Sequence, residues 1–283
     1  MLTKELLKEN LADLEEEYVD YLVKRFADWE IWAEASQRVA NREEVEDDEI
    51  PKAFHSELKM MRVILEMEDL GKFDWNDPHL RQLFMKITQE PFYKFFGEMI
   101  TEISLRLADL AMVKTFIEIG AGRANLTGIM LKQMREKNKS IPLIVTDAQS
   151  VILENIGKLK DEYSQVNLET LLWNIVEPSS DELLAKLTSP TLLYERYTLN
   201  YANIKAIENI AKVADILVLG DWFNHTGKLY AYDEVFQKIG ANPLFYKDVK
   251  ILLDNFFPNQ YIFDQRALKA INLPNITLLI AWK

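Results

Sequence analysis

The stretch from Thr115 to Met130 reads TFIEIGAGRANLTGIM. β-Branched and aromatic residues lead into an acid, Glu118; two glycines, Gly120 and Gly122, follow with Ala121 between them; an apolar periodicity then resumes. A short apolar run, a glycine break and a helical period predict a strand, a tight turn and a helix start. Glycine adopts positive φ at no steric cost and lets the main chain come close to a bound group. The turn can therefore hold a ligand, or simply close the corner between strand and helix.

Downstream, short β-rich runs alternate with amphipathic stretches. Strands are predicted at Thr115–Ile119, Leu143–Thr146, Asn167–Leu172, Thr191–Tyr194, Ile216–Leu219, Gln260–Phe263 and Ile276–Ala281. Helices between the first five imply right-handed crossovers and a largely parallel sheet covered on both faces. Only DQRALKAINLPN separates the last two runs, which suits a hairpin or an inserted antiparallel strand.

Upstream the pattern is helical. Leu6, Leu7, Leu11, Leu14, Tyr18, Tyr21 and Leu22 recur at helical spacing, and the run continues through Trp29 and Trp32 to Val39, predicting one long helix. Further helices are expected over Phe54–Leu70, after Pro78, and from Pro91; FDWNDP between them reads as a turn. The expected division is a helical region, 1–110, that forms a lid or a dimer contact, and an α/β domain, 111–283.

Composition limits the function. The chain has 283 residues, 48% of them hydrophobic, enough for a substantial core. A formal charge of -12 argues against general affinity for nucleic acid, which needs a surplus of Lys and Arg on at least one face. There is no cysteine, which excludes disulfides and thiolate chemistry and is compatible with a reducing compartment. The first residues carry charges throughout, unlike a signal peptide, and no segment reaches eighteen apolar residues, so a cytoplasmic protein without a membrane span is expected. The histidines are His55, His79 and His225, and no metal-binding spacing joins them.

Ligands of open parallel sheets sit outside the carboxyl ends of the strands. A dinucleotide-binding turn would place a third glycine where this chain has Asn125, so that pattern is incomplete. An acid at the rim, Glu118, repels a pyrophosphate and suits a cationic ligand. Asp147 ends the second strand and can accept the hydroxyls of a ribose, or cap the following helix. After the third strand, LLWNIVEP offers the Asn174 amide and the surfaces of Trp173 and Ile175.

With FIEIGAGRANLT, LIVTDAQS and LLWNIVEP in this order, the segment from Val113 to Lys283 resembles the class I S-adenosylmethionine-dependent methyltransferases. The resemblance implies a Rossmann-like sheet of seven strands, the last antiparallel. It implies S-adenosyl-L-methionine as cofactor, with Glu118, Gly120, Ala121 and Gly122 around its methionine part, Asp147 and Ala148 at the ribose, and Asn174 and Ile175 at the adenine. Asn174 stands where the family commonly has Asp. Extra helices before such a domain often cover the acceptor or make a homodimer.

The acceptor side is sought after the fourth and fifth strands, in LLYERYTLNYANI and LVLGDWFNHTGKLYAY. Histidine is the side chain suited to proton transfer at neutral pH, and His225 could deprotonate a hydroxyl; Tyr197 and Arg196 could orient an anionic or hydroxylated acceptor. The tetrapeptide of many base-methylating enzymes is absent, ERYT standing in its place. The expected activity is methyl transfer to a small molecule at oxygen or nitrogen. A methyltransferase-like scaffold protein and an NAD(P)-dependent oxidoreductase are the competing readings.

Overall fold

The structure is a computed structural model that describes residues 2–71, 78–263 and 277–283. Five helices come first: α1 (Lys4–Arg25), α2 (Trp29–Ala40), α3 (His55–Asp69), α4 (Pro78–Thr88) and α5 (Pro91–Ala111). The single long helix expected through Val39 is thus two, because the chain leaves helical geometry over Phe26–Asp28. Phe26 and Trp29 are both buried, so the apolar periodicity runs through the break and gives no sign of it. Pro78 opens α4, while the rest of FDWNDP lies outside the described residues. Pro91 starts α5, where a missing N–H costs nothing, and Met112 ends it in the left-handed region.

The remaining elements are β1 (Thr115–Glu118), α6 (Asn125–Glu136), β2 (Leu143–Asp147), α7 (Ser150–Gly157), α8 (Leu159–Glu162), β3 (Leu168–Leu172), α9 (Asp181–Lys186), β4 (Thr191–Arg196), α10 (Ala206–Val213), β5 (Ile216–Asp221), β6 (Phe223–Asn224), α11 (Ala231–Gln237), β7 (Leu244–Phe245), α12 (Tyr246–Phe256), β8 (Asn259–Ile262) and β9 (Thr277–Trp282). The seven-stranded sheet runs β3-β2-β1-β4-β5-β9-β8. Pairings from β3 to β5 are parallel, and β9 is antiparallel to both β5 and β8. The link between β8 and β9 lies outside the described residues. Strand order reverses between β1 and β4, which opens a crevice at their carboxyl ends.

Every residue of β1, β2 and β5 is buried, as a sheet covered on both faces requires. Phe116, Tyr194, Val218 and Ile280 face a core shared with α1, α2, α3, α5 and α6. Ile117, Leu193, Leu217 and Leu279 face a second core shared with α10 and α12. The α5 helix lies directly on the sheet: a Cβ added at Gly220 of β5 would stand 2.4 Å from Ile100 Cδ1. The α1 helix is tied on by Arg106, which donates to both carboxylate oxygens of Asp13, and the Trp282 indole donates to Leu2 O at 3.1 Å. The two-residue strands β6 and β7 pair outside the main sheet, a feature the sequence reading does not contain.

Candidate active site

The glycine turn forms as its sequence requires. Gly120 and Gly122 have φ of 60° and 54°, and Ala124 at 63° completes the bend into α6. A Cβ at Gly120 would meet Thr198 Cγ2 at 2.3 Å and Oγ1 at 2.4 Å, so glycine is demanded by space as well as by φ. The acid that ends β2 binds the turn in place. Asp147 accepts the Gly122 N–H through Oδ2 at 3.0 Å and the Gln149 N–H through Oδ1 at 2.9 Å. Each of these oxygens retains a further lone pair.

These tips border a crevice of ≈ 360 Å³. Gly120, Asp147, Ala148, Asn174 and Ile175 line it, together with Trp173 and Thr198. Asn174 is exposed; its Oδ1 accepts the Val176 N–H at 3.4 Å in a local turn. Trp173 is both buried and a wall of the crevice. Ala121 and Gly122 shape the bend without lining the space: the Ala121 N–H reaches Thr146 O, and the Gly122 N–H is taken by Asp147.

Glu118 departs from the expectation of an acid at the rim. Its carboxyl is wholly buried under the turn, accepting Thr127 Oγ1–H and Tyr194 O–H at 2.9 Å each. Burial pushes its pKa up to about 7 against the pull of those two hydroxyls. The reason is the pleat: alternate β1 residues face opposite sides, and Glu118 shares the α5/α6 side with Phe116 instead of pointing along the strand into the crevice.

A second, more enclosed cavity of ≈ 130 Å³ lies beside the crevice. Trp29, Trp32, Phe54 and Glu57 reach it from the amino-terminal helices, and Tyr93 from α5. Tyr197, Asn200, Tyr201 and Trp222 reach it from the segments after β4 and β5, with Tyr232 of α11 opposite. Tyr201 belongs to both spaces, forming part of the wall of each.

Of the three groups proposed for catalysis, only Tyr197 lines this cavity. It takes φ of 60°, donates its N–H to Gly220 O at 2.9 Å, and packs its ring on Tyr93, Phe96 and Trp222. Its buried hydroxyl has no hydrogen-bond partner among the described residues, and burial pushes the phenol well above its ordinary value. Arg196 turns away toward α5, donating Nη1–H to Tyr93 O at 2.7 Å. Burial pulls its pKa down, opposed by Tyr197 and by Glu118; it is a strut under the site, not a group that orients an acceptor. His225 lines neither space. The strand β6, paired with β7, carries it toward α12, where its ring packs tilted against Tyr246, the ring centroids 4.7 Å apart and the planes at 37°.

Two buried acids brace the walls. Glu195 accepts the Thr198 N–H at 2.8 Å, and Asp221 accepts the N–H groups of Trp222 and Asn200 at 2.7 and 3.2 Å. Burial and the neighbouring Asp221 push Glu195 well up, and burial pushes Asp221 up to about 7. The sequence reading missed Glu57 and placed Trp29 and Trp32 only within a helical apolar run. A signal for Glu57 existed: it falls on the apolar face of α3, beside buried Leu58, Met60 and Met61, where a solvated acid has no place. His55 and His79 join no cluster of metal-ligating groups among the described residues.

No family model matches the sequence, and no curated protein matches it. Solved structures do resemble the fold. The citrinin polyketide synthase CMeT domain aligns at TM-score 0.65 and 15% identity, over 81% of this chain and 65% of that one. The DszA carbon methyltransferase aligns at TM-score 0.65 and 11% identity, over 81% of this chain and 66% of that one. The plantazolicin methyltransferase BpumL, solved in complex with SAH, aligns at TM-score 0.51 and 14% identity, over 80% and 99%. The chain thus spans about two thirds of the length of the carbon methyltransferases it resembles. Its fold is the Rossmann-like fold of the class I S-adenosylmethionine-dependent methyltransferases. Among the described residues, no helix is long and apolar enough to cross a membrane.

Proposed function

We propose that the chain is a methyltransferase that uses S-adenosyl-L-methionine and acts on a small molecule at oxygen or nitrogen. One observation carries the reading: Tyr201 walls both the crevice beneath the glycine turn and the enclosed cavity next to it. Donor and acceptor in an in-line displacement must meet across such a boundary with water kept out.

The crevice residues fit the cofactor. Gly120 lets the main chain approach, the spare lone pairs of Asp147 accept ribose hydroxyls, and Asn174 with Ile175 offers an amide and an apolar surface for the purine. The cofactor, when bound, supplies a methyl group on a sulfonium. The chain's own residues bind, orient and enclose. Glu118 acts from below, as a buried carboxyl that fixes the start of α6 through Thr127. Asn125, in place of a third glycine, donates to Thr88 Oγ1 at 3.1 Å and so ties the turn to α4.

A lid role for the helices of residues 1–110 is supported by Trp29, Trp32 and Phe54, which wall the cavity from that side. An acidic chain with an enclosed chamber of this size favours a small acceptor over a nucleic acid. Calorimetric titration with S-adenosylmethionine and S-adenosylhomocysteine tests the reading. Both should bind, NADH should not, and Asp147→Ala should weaken binding at least tenfold. Transfer of labelled methyl to an acceptor panel then separates an enzyme from a scaffold. Undiminished affinity in Asp147→Ala would remove the ribose assignment, and no affinity in the unaltered protein would remove the cofactor.

A further inference from the structure

The enclosed cavity holds an unusual set of unsatisfied groups. Glu57 is 8% exposed and Asn200 7%. Glu57 Oε2, Asn200 Nδ2 and the Tyr197 hydroxyl are all buried without a hydrogen-bond partner among the described residues, and all three residues line the space. Leaving such atoms unpaired costs about 1–3 kcal/mol each, so three around one void define the polar half of a ligand.

Their chemistry selects the ligand further. Glu57 Oε1 already accepts Arg25 Nη2–H at 3.0 Å, and the Arg25 guanidinium lies 4.6 Å from the Phe54 ring centre, behind the cavity wall. The Glu57 charge is therefore balanced before any ligand arrives. Asp233 of α11 also lines the chamber, its Oδ2 accepting the Tyr230 N–H at 3.0 Å, and a ligand O–H or N–H finds an open acceptor at Glu57 Oε2. Trp29, Trp32, Phe54 and Trp222 give flat walls, and ≈ 130 Å³ is close to the roughly 150 Å³ of a dry cavity that takes up benzene.

We propose that this chamber selects a compact, flat molecule of about one ring that presents an O–H or N–H donor to Glu57 Oε2 and an acceptor atom to Asn200 Nδ2. This rests on the reading of the chain as a methyltransferase and names its acceptor class. Glu57 is here a specificity residue contributed by α3, outside the sheet that carries the crevice. Burial pushes Glu57 up to about 7, with Arg25 opposing the shift and Glu90 adding to it, so the donor preference is expressed above that pH, where the carboxylate form prevails.

The test uses aniline and toluene, equal in shape and neutral at pH 8, titrated into the full chain with tryptophan fluorescence as readout. Aniline should bind about tenfold more tightly than toluene, about 1.4 kcal/mol. In Glu57→Gln the amide oxygen is retained by Arg25 and an N–H₂ faces the chamber, so the ratio should fall to about one. Equal binding of the two probes by the unaltered protein overturns the proposal without any variant. So does a ratio that persists in a folded Glu57→Gln protein. A parallel titration with S-adenosylhomocysteine keeps the two readings apart. Cofactor binding without probe discrimination sinks the acceptor class alone; discrimination without cofactor binding sinks the methyltransferase and leaves the chamber's selectivity standing.

Discussion

Replacing Gly120 by alanine tests the turn on which the crevice depends. Two costs add. A non-glycine residue at φ of 60° loses about 1–2 kcal/mol from the contact of its Cβ with the neighbouring carbonyl. The same Cβ would press on Thr198 Cγ2 at 2.3 Å, Oγ1 at 2.4 Å and Cβ at 2.9 Å. Thr198 cannot simply rotate away, because its hydroxyl donates to Ile119 O and its N–H is held by Glu195. Overpacking of this kind costs about 1–3 kcal/mol, giving a total of about 2–5 kcal/mol and a melting point lowered by roughly 3–9 °C. Urea unfolding followed by circular dichroism measures it. In Gly120→Ala with Thr198→Ala, the two closest contacts vanish while the φ cost and the Cβ contact remain, so about half of the loss should return. A change within about 0.5 kcal/mol in the single variant, the ordinary range for a surface substitution, would refute the reasoning. So would a double variant no more stable than the single.

Glu118→Gln should gain stability relative to the unaltered protein as pH rises. The folded pKa of about 7 lies above the ordinary 4.5, so the Glu118 contribution is present in full near pH 4.5 and is lost as pH climbs to 7, by up to about 1.4 kcal/mol per pH unit. The difference between the two proteins, measured in urea at pH 5 and pH 8, should therefore shift in favour of Gln at the higher pH; a constant difference would mean that the carboxyl is not buried as described. Gly220→Ala should cost about 1–3 kcal/mol by driving a methyl onto Ile100, and Ile100→Val should offset part of this by removing the Cδ1 at 2.4 Å. Strict additivity of the two in thermal unfolding would place α5 away from β5.

The sheet was legible because its central strands are buried on both faces and stand out as apolar runs bounded by turns. The same double burial hid the direction of Glu118: with no alternation of polar and apolar residues along TFIE, no pattern told which face each side chain takes. Asp147 and Asn174 could be placed because strand ends in an open parallel sheet face one crevice whatever their neighbours do. His225 could not, because two paired two-residue strands, too short to leave a periodic signal, redirect the chain after Trp222. The roof was the least legible part. Trp29 and Trp32 stand at helical spacing in α2 and Phe54 sits just before α3, and that pattern is the same whether an aromatic face meets another helix or a void.

Tyr201 has a consequence that belongs to neither space alone. A ring that forms part of two walls cannot adjust to an occupant on one side without reshaping the other. Filling the crevice then alters the affinity of the chamber by some factor, and thermodynamic reciprocity requires that a guest in the chamber alter the crevice by that same factor. Substituting this single tyrosine should uncouple the two equilibria while leaving each of them measurable, so that neither ligand shifts the affinity of the other.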